Sequence, residues 1–169
     1  MLGYVCKYTP MELFEAMDTE ITRLEPSVTD FNHADTLMHA NICSYTKAVL
    51  EDVMEHDYEG VILTTCCDSI RRLYDTLKSQ FPDKFFFLLD IPRKFNDFAV
   101  TLYERQLKQM LTEYEAFSGK TLDLKRFVSM PSATSAKASV MWLFPYLRAS
   151  ELRRWWRLRR YKNRNLLIC

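Results

Sequence analysis

Val61-Ile62-Leu63-Thr64-Thr65-Cys66-Cys67-Asp68-Ser69-Ile70-Arg71-Arg72-Leu73-Tyr74-Asp75-Thr76-Leu77 carries the fold in miniature. Residues 61–65 form an unbroken β-branched and aliphatic run, the signature of a buried strand. Ile70, Leu73, Tyr74 and Leu77 then repeat at i, i+3, i+4 and i+7, an amphipathic helix that Asp68 or Ser69 can cap. Two cysteines stand where strand becomes helix. In an α/β fold, ligands gather in the crevice beyond the carboxyl ends of the strands. A thiol there, at a helix N-terminus, feels the positive end of the helix dipole, which favours its thiolate.

The same alternation extends outward. Leu2–Val5 reads as a short strand. Pro10 suits the first turn of a helix, with Thr9 as its cap and Met11, Phe14 and Met17 along one side. Ile21–Leu24 reads as a second strand and residues 25–35 as a polar loop. Tyr45, Val49, Val53 and Met54 recur at helical spacing from Cys43, with Lys47, Glu51, Asp52 and Glu55 towards the other side. Phe85–Leu89 is another apolar run, closed by Asp90-Ile91-Pro92. Asn96 or Asp97 opens a long helix with Ala99, Tyr103, Gln106, Leu107, Met110, Tyr114 and Phe117 along its inner stripe. Gly119 is its C-cap. Strands alternating with helices predict a doubly wound α/β fold with a mostly parallel sheet.

The length, 169 residues, suits one domain, and 48% hydrophobic residues suffice for a core. Three glycines and six prolines argue against disorder and against a turn-rich β-sandwich. No signal peptide is visible. The longest apolar run, Val140–Leu147, is interrupted by Pro145 and falls far short of the roughly 20 residues of a membrane span. A cytoplasmic protein with reduced thiols is the expectation, and five cysteines fit no closed disulfide framework. Residues 1–127 carry 14 Lys+Arg against 21 Asp+Glu, whereas residues 128–169 carry 9 against 1. This change divides an α/β domain, 1–127, from an atypical basic tail, 128–169. The tail sets Arg153, Arg154, Arg157, Arg159, Arg160, Lys162 and Arg164 around Trp155 and Trp156. Such a surface suits nucleic acid or an anionic membrane, but nothing in residues 1–127 points to either. The expectation is therefore no nucleic-acid and no membrane partner, with the tail arising by frameshift or truncation.

Four segments, in order, resemble one family. Gly3-Tyr4-Val5-Cys6-Lys7-Tyr8-Thr9-Pro10-Met11-Glu12-Leu13 looks like its opening strand–turn–helix. Asn41-Ile42-Cys43-Ser44-Tyr45 and Cys66-Cys67-Asp68-Ser69-Ile70-Arg71-Arg72-Leu73-Tyr74-Asp75 look like its two N-terminal cluster motifs, and Leu89-Asp90-Ile91-Pro92-Arg93-Lys94 like its next strand end. From about Leu2 to Phe127 the chain is similar to the 2-hydroxyacyl-CoA dehydratase (2-hydroxyglutaryl-CoA dehydratase D-component) and benzoyl-CoA reductase family. The family usually places Gly after the first helix; Met17-Asp18 stands there instead.

The resemblance implies a [4Fe–4S] cluster held by three cysteines, with a flavin in some members. Carried over, Cys43 is the first ligand and Cys67, directly before Asp68, the second; Cys66 is its neighbour. The third ligand is expected from sequence this chain lacks, since Cys169 ends a tail without the family pattern. The implied partners are an acyl-CoA substrate, a second dehydratase subunit and an ATP-dependent activator protein. In the implied reaction one electron reaches the thioester carbonyl of a 2-hydroxyacyl-CoA, the resulting ketyl expels the hydroxyl, and an enoyl-CoA forms. The alternatives are a truncated non-catalytic fragment and a benzoyl-CoA-reductase-like or double-cubane-type cluster reductase.

Bland readings stand beside these. Cys43 and Cys67 can be small buried hydrophobes, and Cys6 reads as packed. His33, His39 and His56 lack zinc spacing and read as solvated or loop residues. Glu12 suits the positive end of its helix. Arg71-Arg72 suits an anion such as the coenzyme A phosphates, or a solvated helix face.

Overall fold

The computed structural model describes residues 1–28, 30–92 and 97–129. The Asn96 alternative, the tail beyond Ser129 and Cys169 lie outside them. In chain order the elements are β1 (Leu2–Tyr4), α1 (Met11–Glu15), β2 (Ile21–Arg23), α2 (Asn32–Leu37), α3 (Ser44–Glu55), β3 (Gly60–Thr64), α4 (Asp68–Gln80), β4 (Phe85–Leu89), α5 (Asp97–Ser118) and α6 (Leu124–Ser129). The strands form one sheet in the order β2-β1-β3-β4, every pair parallel. Leu2 faces Ile21 on one side and Gly60 on the other, and Gly60 faces Phe85.

Each apolar strand run is shared between two cores. Because strand side chains alternate faces, Ile62, Phe85, Phe87 and Leu89 join Leu13 and Phe14 of α1, Leu107, Met110 and Tyr114 of α5, and Phe127 of α6. Val61, Leu63 and Phe86 point the other way, to Ala34 of α2, Val49, Leu50 and Val53 of α3, and Ile70, Leu73 and Leu77 of α4. Helices thus cover both faces, which is why residues 61–64 and 85–89 read as continuous rather than alternating hydrophobic runs. Burying one such leucine contributes about 1.5–3 kcal/mol. The residue where the charge balance turns, Phe127, is fully buried within α6.

Several local expectations are corrected. Residues 25–35 do not stay a loop: α2 begins at Asn32. Its amino end is capped from a distance. The Glu51 carboxylate of α3 accepts the backbone N–H of His33 and of Ala34, at 2.7 and 2.8 Å, and lies 2.7 Å from His33 Nδ1. Glu51 therefore turns inward and is 2% exposed, not on the outer side of α3. Tyr45 makes the opposite exchange and is 45% exposed. Thr9 does not cap α1; its side chain is fully buried and Pro10 occupies the cap position. Cys67, rather than Asp68 or Ser69, is the N-cap of α4. Phe117 is 44% exposed at the end of the α5 stripe. Asp18 has φ 55°, the left-handed conformation that glycine adopts without cost. The glycine expected after the first helix thus has a backbone reason.

Two outcomes follow. A Cβ at Gly60 would lie 2.0 Å from the Phe85 carbonyl oxygen, inside the β3–β4 pairing. Gly60→Ala should cost at least about 3 kcal/mol in urea unfolding, or prevent folding. At Glu51, desolvation pushes the carboxyl up, but hydrogen bonds from Ala34 and His33 outweigh it and hold the group below 4.5. A depressed carboxyl stabilises the fold above its unfolded value and loses that contribution as pH falls through the folded one. Glu51→Gln should therefore flatten the loss of stability below pH 4.5, measured by unfolding at a series of pH values, and Glu51→Ala should cost about 1.5–3 kcal/mol near neutrality.

Candidate functional site

The strand order reverses at β1. The chain leaves β1 through α1 on one face and β3 through α4 on the other, so a crevice opens between their carboxyl ends. Cys6 follows β1, and Cys66 and Cys67 follow β3. Helix α3 packs beside α4 and brings its amino end, with Cys43, to the same side. Cys43, Cys66 and Cys67 are exposed and Cys6 is half-buried, all as free thiols.

Cys43 and Cys67 hold equivalent backbone positions. Each is the N-cap of its helix with extended backbone, φ −63°, ψ 148° and φ −153°, ψ 166°. Their carbonyls accept the first helical N–H groups, from Lys47 at 3.1 Å and Arg71 at 3.4 Å. Their side chains therefore sit by unpaired N–H groups at the positive end of a helix. Cys66 lies outside α4, in the preceding turn, and its N–H donates to the Thr64 carbonyl at 2.8 Å.

Cys43 Sγ lies 3.1 Å from Thr46 Oγ1, the spacing of an N-cap and the third helical residue. Desolvation pushes this thiol up. The Thr46 hydroxyl and backbone N–H, the Ser69 hydroxyl and the Tyr45 N–H favour the thiolate and together bring it below 9.0. Ser69 belongs to α4, two residues after Cys67, so the sulfur of one helix start is read by the other. Sequence reasoning missed Thr46 and Ser69; the three-residue offset from Cys43 was the available signal for Thr46.

Around the thiols, Tyr45 is raised by desolvation, lowered in part by Arg23, and raised further by Cys66 and Cys6. Tyr103 of α5 is raised chiefly by burial, then by Cys6 and by Glu12, which is 1% exposed. The Tyr103 hydroxyl donates to the Tyr8 carbonyl at 3.5 Å, which sets α5 beside the turn that follows Cys6. Behind Cys66, the Thr65 hydroxyl donates a short hydrogen bond to Asp90, tying the ends of β3 and β4. Arg71 and Arg72 border a cavity of about 270 Å³ with Asp68, Tyr74, Asp75 and Leu88. Asp68 and Asp75 answer them at 3.9 and 3.7 Å, so this helix face neutralises itself. His33 serves Glu51, His39 Nδ1 takes the Asn41 N–H, and His56 sits at the end of α3.

Among the described residues no three His, Cys, Asp or Glu side chains come together as a metal-holding group. The thiols at two adjacent helix starts, one of them with a depressed pKa, fit part of a thiolate ligand set. No described helix is long and apolar enough to cross a membrane.

The chain matches the family described as 2-hydroxyglutaryl-CoA dehydratase, D-component, over residues 6–152. That span takes in all four crevice cysteines and continues past the charge change at Phe127. No curated protein matches the chain.

Cys43 should be the most rapidly alkylated thiol of the metal-free chain near neutral pH. Thr46→Val should move the midpoint of its pH–rate profile upward, towards the ordinary thiol value, as read by iodoacetamide labelling and peptide mass spectrometry. An unchanged midpoint would remove the hydroxyl from the account.

Proposed function

Because the chain belongs to the 2-hydroxyglutaryl-CoA dehydratase D-component family, we propose that it is a 2-hydroxyacyl-CoA dehydratase subunit in which Cys43 and Cys67 hold a [4Fe–4S] cluster. The observation that carries this reading is the shared N-cap placement of the two thiols on adjacent helices at the strand switch point. Cys66 is not a ligand in this reading, because its turn stands off the helix start. The partners that accompany the subunit are an acyl-CoA substrate, a second dehydratase subunit and an ATP-dependent activator, in a reducing cytoplasm.

When bound, such a cluster supplies a low-potential electron for reduction of a thioester carbonyl, after which the 2-hydroxyl leaves. This chain's residues prepare the place for it. The helix starts of α3 and α4 place both sulfurs at the N-cap, and at Cys43 the backbone N–H groups of Tyr45 and Thr46 favour the thiolate. The Thr46 hydroxyl, 3.1 Å from the Cys43 sulfur, and the Ser69 hydroxyl favour the anion over the thiol. The Thr65–Asp90 bond fixes the crevice floor next to Cys66. Tyr45 stands half-exposed at the rim, and Tyr103 is half-buried, with its hydroxyl donating to the Tyr8 carbonyl at 3.5 Å.

Anaerobic reconstitution with iron and sulfide tests the assignment. Cys43→Ala and Cys67→Ala should each lower bound iron by roughly tenfold or more and abolish the EPR signal of the reduced protein. Cys66→Ala should retain both. Loss of iron in Cys66→Ala with retention in Cys67→Ala would reverse the ligand choice, and no cluster in any form would remove it. Turnover of a 2-hydroxyacyl-CoA with activator, ATP and second subunit then tests the dehydratase reaction itself.

A further inference from the structure

Beneath the thiols lie two hydroxyls that the cluster reading does not use. Thr9 and Thr64 are both fully buried, and neither Oγ1 has a hydrogen-bond partner among the described residues. A buried hydroxyl without a partner is costly, and native chains rarely tolerate it. Two such groups in one domain of this size call for a common cause.

Their positions supply one. Strand β3 alternates, with Val61 and Leu63 on the α3/α4 face and Ile62 on the α1/α5 face, so Thr64 points to the α1/α5 face. The parallel register sets Tyr4 beside Ile62, and the Val5 N–H still reaches the Ile62 carbonyl at 3.3 Å, so the chain enters Cys6 beside the end of β3. The Thr9 N–H donates to the Cys6 carbonyl at 2.9 Å, folding the chain after β1 back over the same point. Thr9 then enters α1, whose Leu13 and Phe14 pack on that same face. The neighbours are polar as well: Tyr103 reaches the Tyr8 carbonyl at 3.5 Å, and its phenol feels Cys6 and Glu12. This is a polar floor within an otherwise apolar core, at the carboxyl end of β1 and β3.

We infer that Thr9 and Thr64 share one internal water molecule, held below Cys6. A water donates two hydrogen bonds and accepts two, and internal waters characteristically make about three with otherwise unsatisfied buried groups. The two hydroxyls supply two of those partners. The site braces the Cys6–Thr9 turn against β3 and gives the floor of the crevice a fixed dipole. It stands independently of iron–sulfur binding, because its partners are neither cysteine nor carboxylate.

The sign of a stability change tests the inference on the full-length, metal-free chain. Thr9→Val and Thr64→Val each replace a hydroxyl by a methyl of similar size. If the hydroxyls share a water, each variant lowers Tm, and the double variant loses clearly less than the two losses added, because the second change removes a partner already compromised. NMR should also show a long-lived water cross-peak to the Thr64 γ-methyl in the unmodified chain that Thr9→Val weakens. Overturning results are equally direct. A Tm equal to or above that of the unmodified chain in either variant means the hydroxyl was a true orphan, and fully additive losses mean two separate sites.

Discussion

Everything at the candidate site depends on one three-residue strand, β1, being hydrogen-bonded on both sides. Leu2 to Tyr4 pair with β2 on one edge and with β3 on the other. Crossovers between parallel strands are right-handed. A chain that steps from β1 to β2 and then from β2 across to β3 and β4 must therefore send its helices to opposite faces. Helix α1 goes to one face and α3 and α4 to the other, and the gap between them is the crevice. The same winding brings the cysteine-bearing segments to one end of the sheet. They sit at the ends of the strands and the starts of the helices that this winding brings together.

Packing then fixes the crevice. Gly60 admits the Phe85 carbonyl where no side chain would fit, so β3 and β4 lie in close register up to Thr64 and Leu89. The Thr65–Asp90 bond continues that tie one residue beyond the ladder. On the other face, Glu51 holds the start of α2, and the chain from α2 runs through His39 to Cys43. A carboxylate buried in α3 thus secures the segment that delivers the first thiol. The link from core to chemistry is short: strand register sets helix start, and helix start sets thiolate.

The strands and the long helices were legible in sequence because each carries a full period of apolar residues, as residues 61–65, 70–77 and 85–89 show. The two thiol positions were legible for the same reason, since a strand that ends and a helix that begins leave few places for a cysteine. What was not legible came from distant partners. Helix α2 lacks a local cap, and its signal lies in Glu51, which reads as a surface residue until α2 is placed against it. Thr9 reads as a cap and is instead buried. Tyr45 fits the inner stripe by spacing, yet sits in the first turn of α3, where it reaches the crevice rim. Ser69 acts on Cys43 from another helix, a contact that only the fold creates.

If Cys43 and Cys67 are the proposed ligand pair, they, and not Cys66 or Cys6, should be the thiols most readily bridged before any cluster is present. A short bifunctional thiol reagent, applied to the reduced, metal-free chain and followed by peptide mass spectrometry, measures this directly. The account predicts a dominant bridge between the peptides holding Cys43 and Cys67, retained in Cys66→Ser. A dominant Cys43–Cys6 bridge, or a Cys43 bridge that disappears in Cys66→Ser, would contradict it.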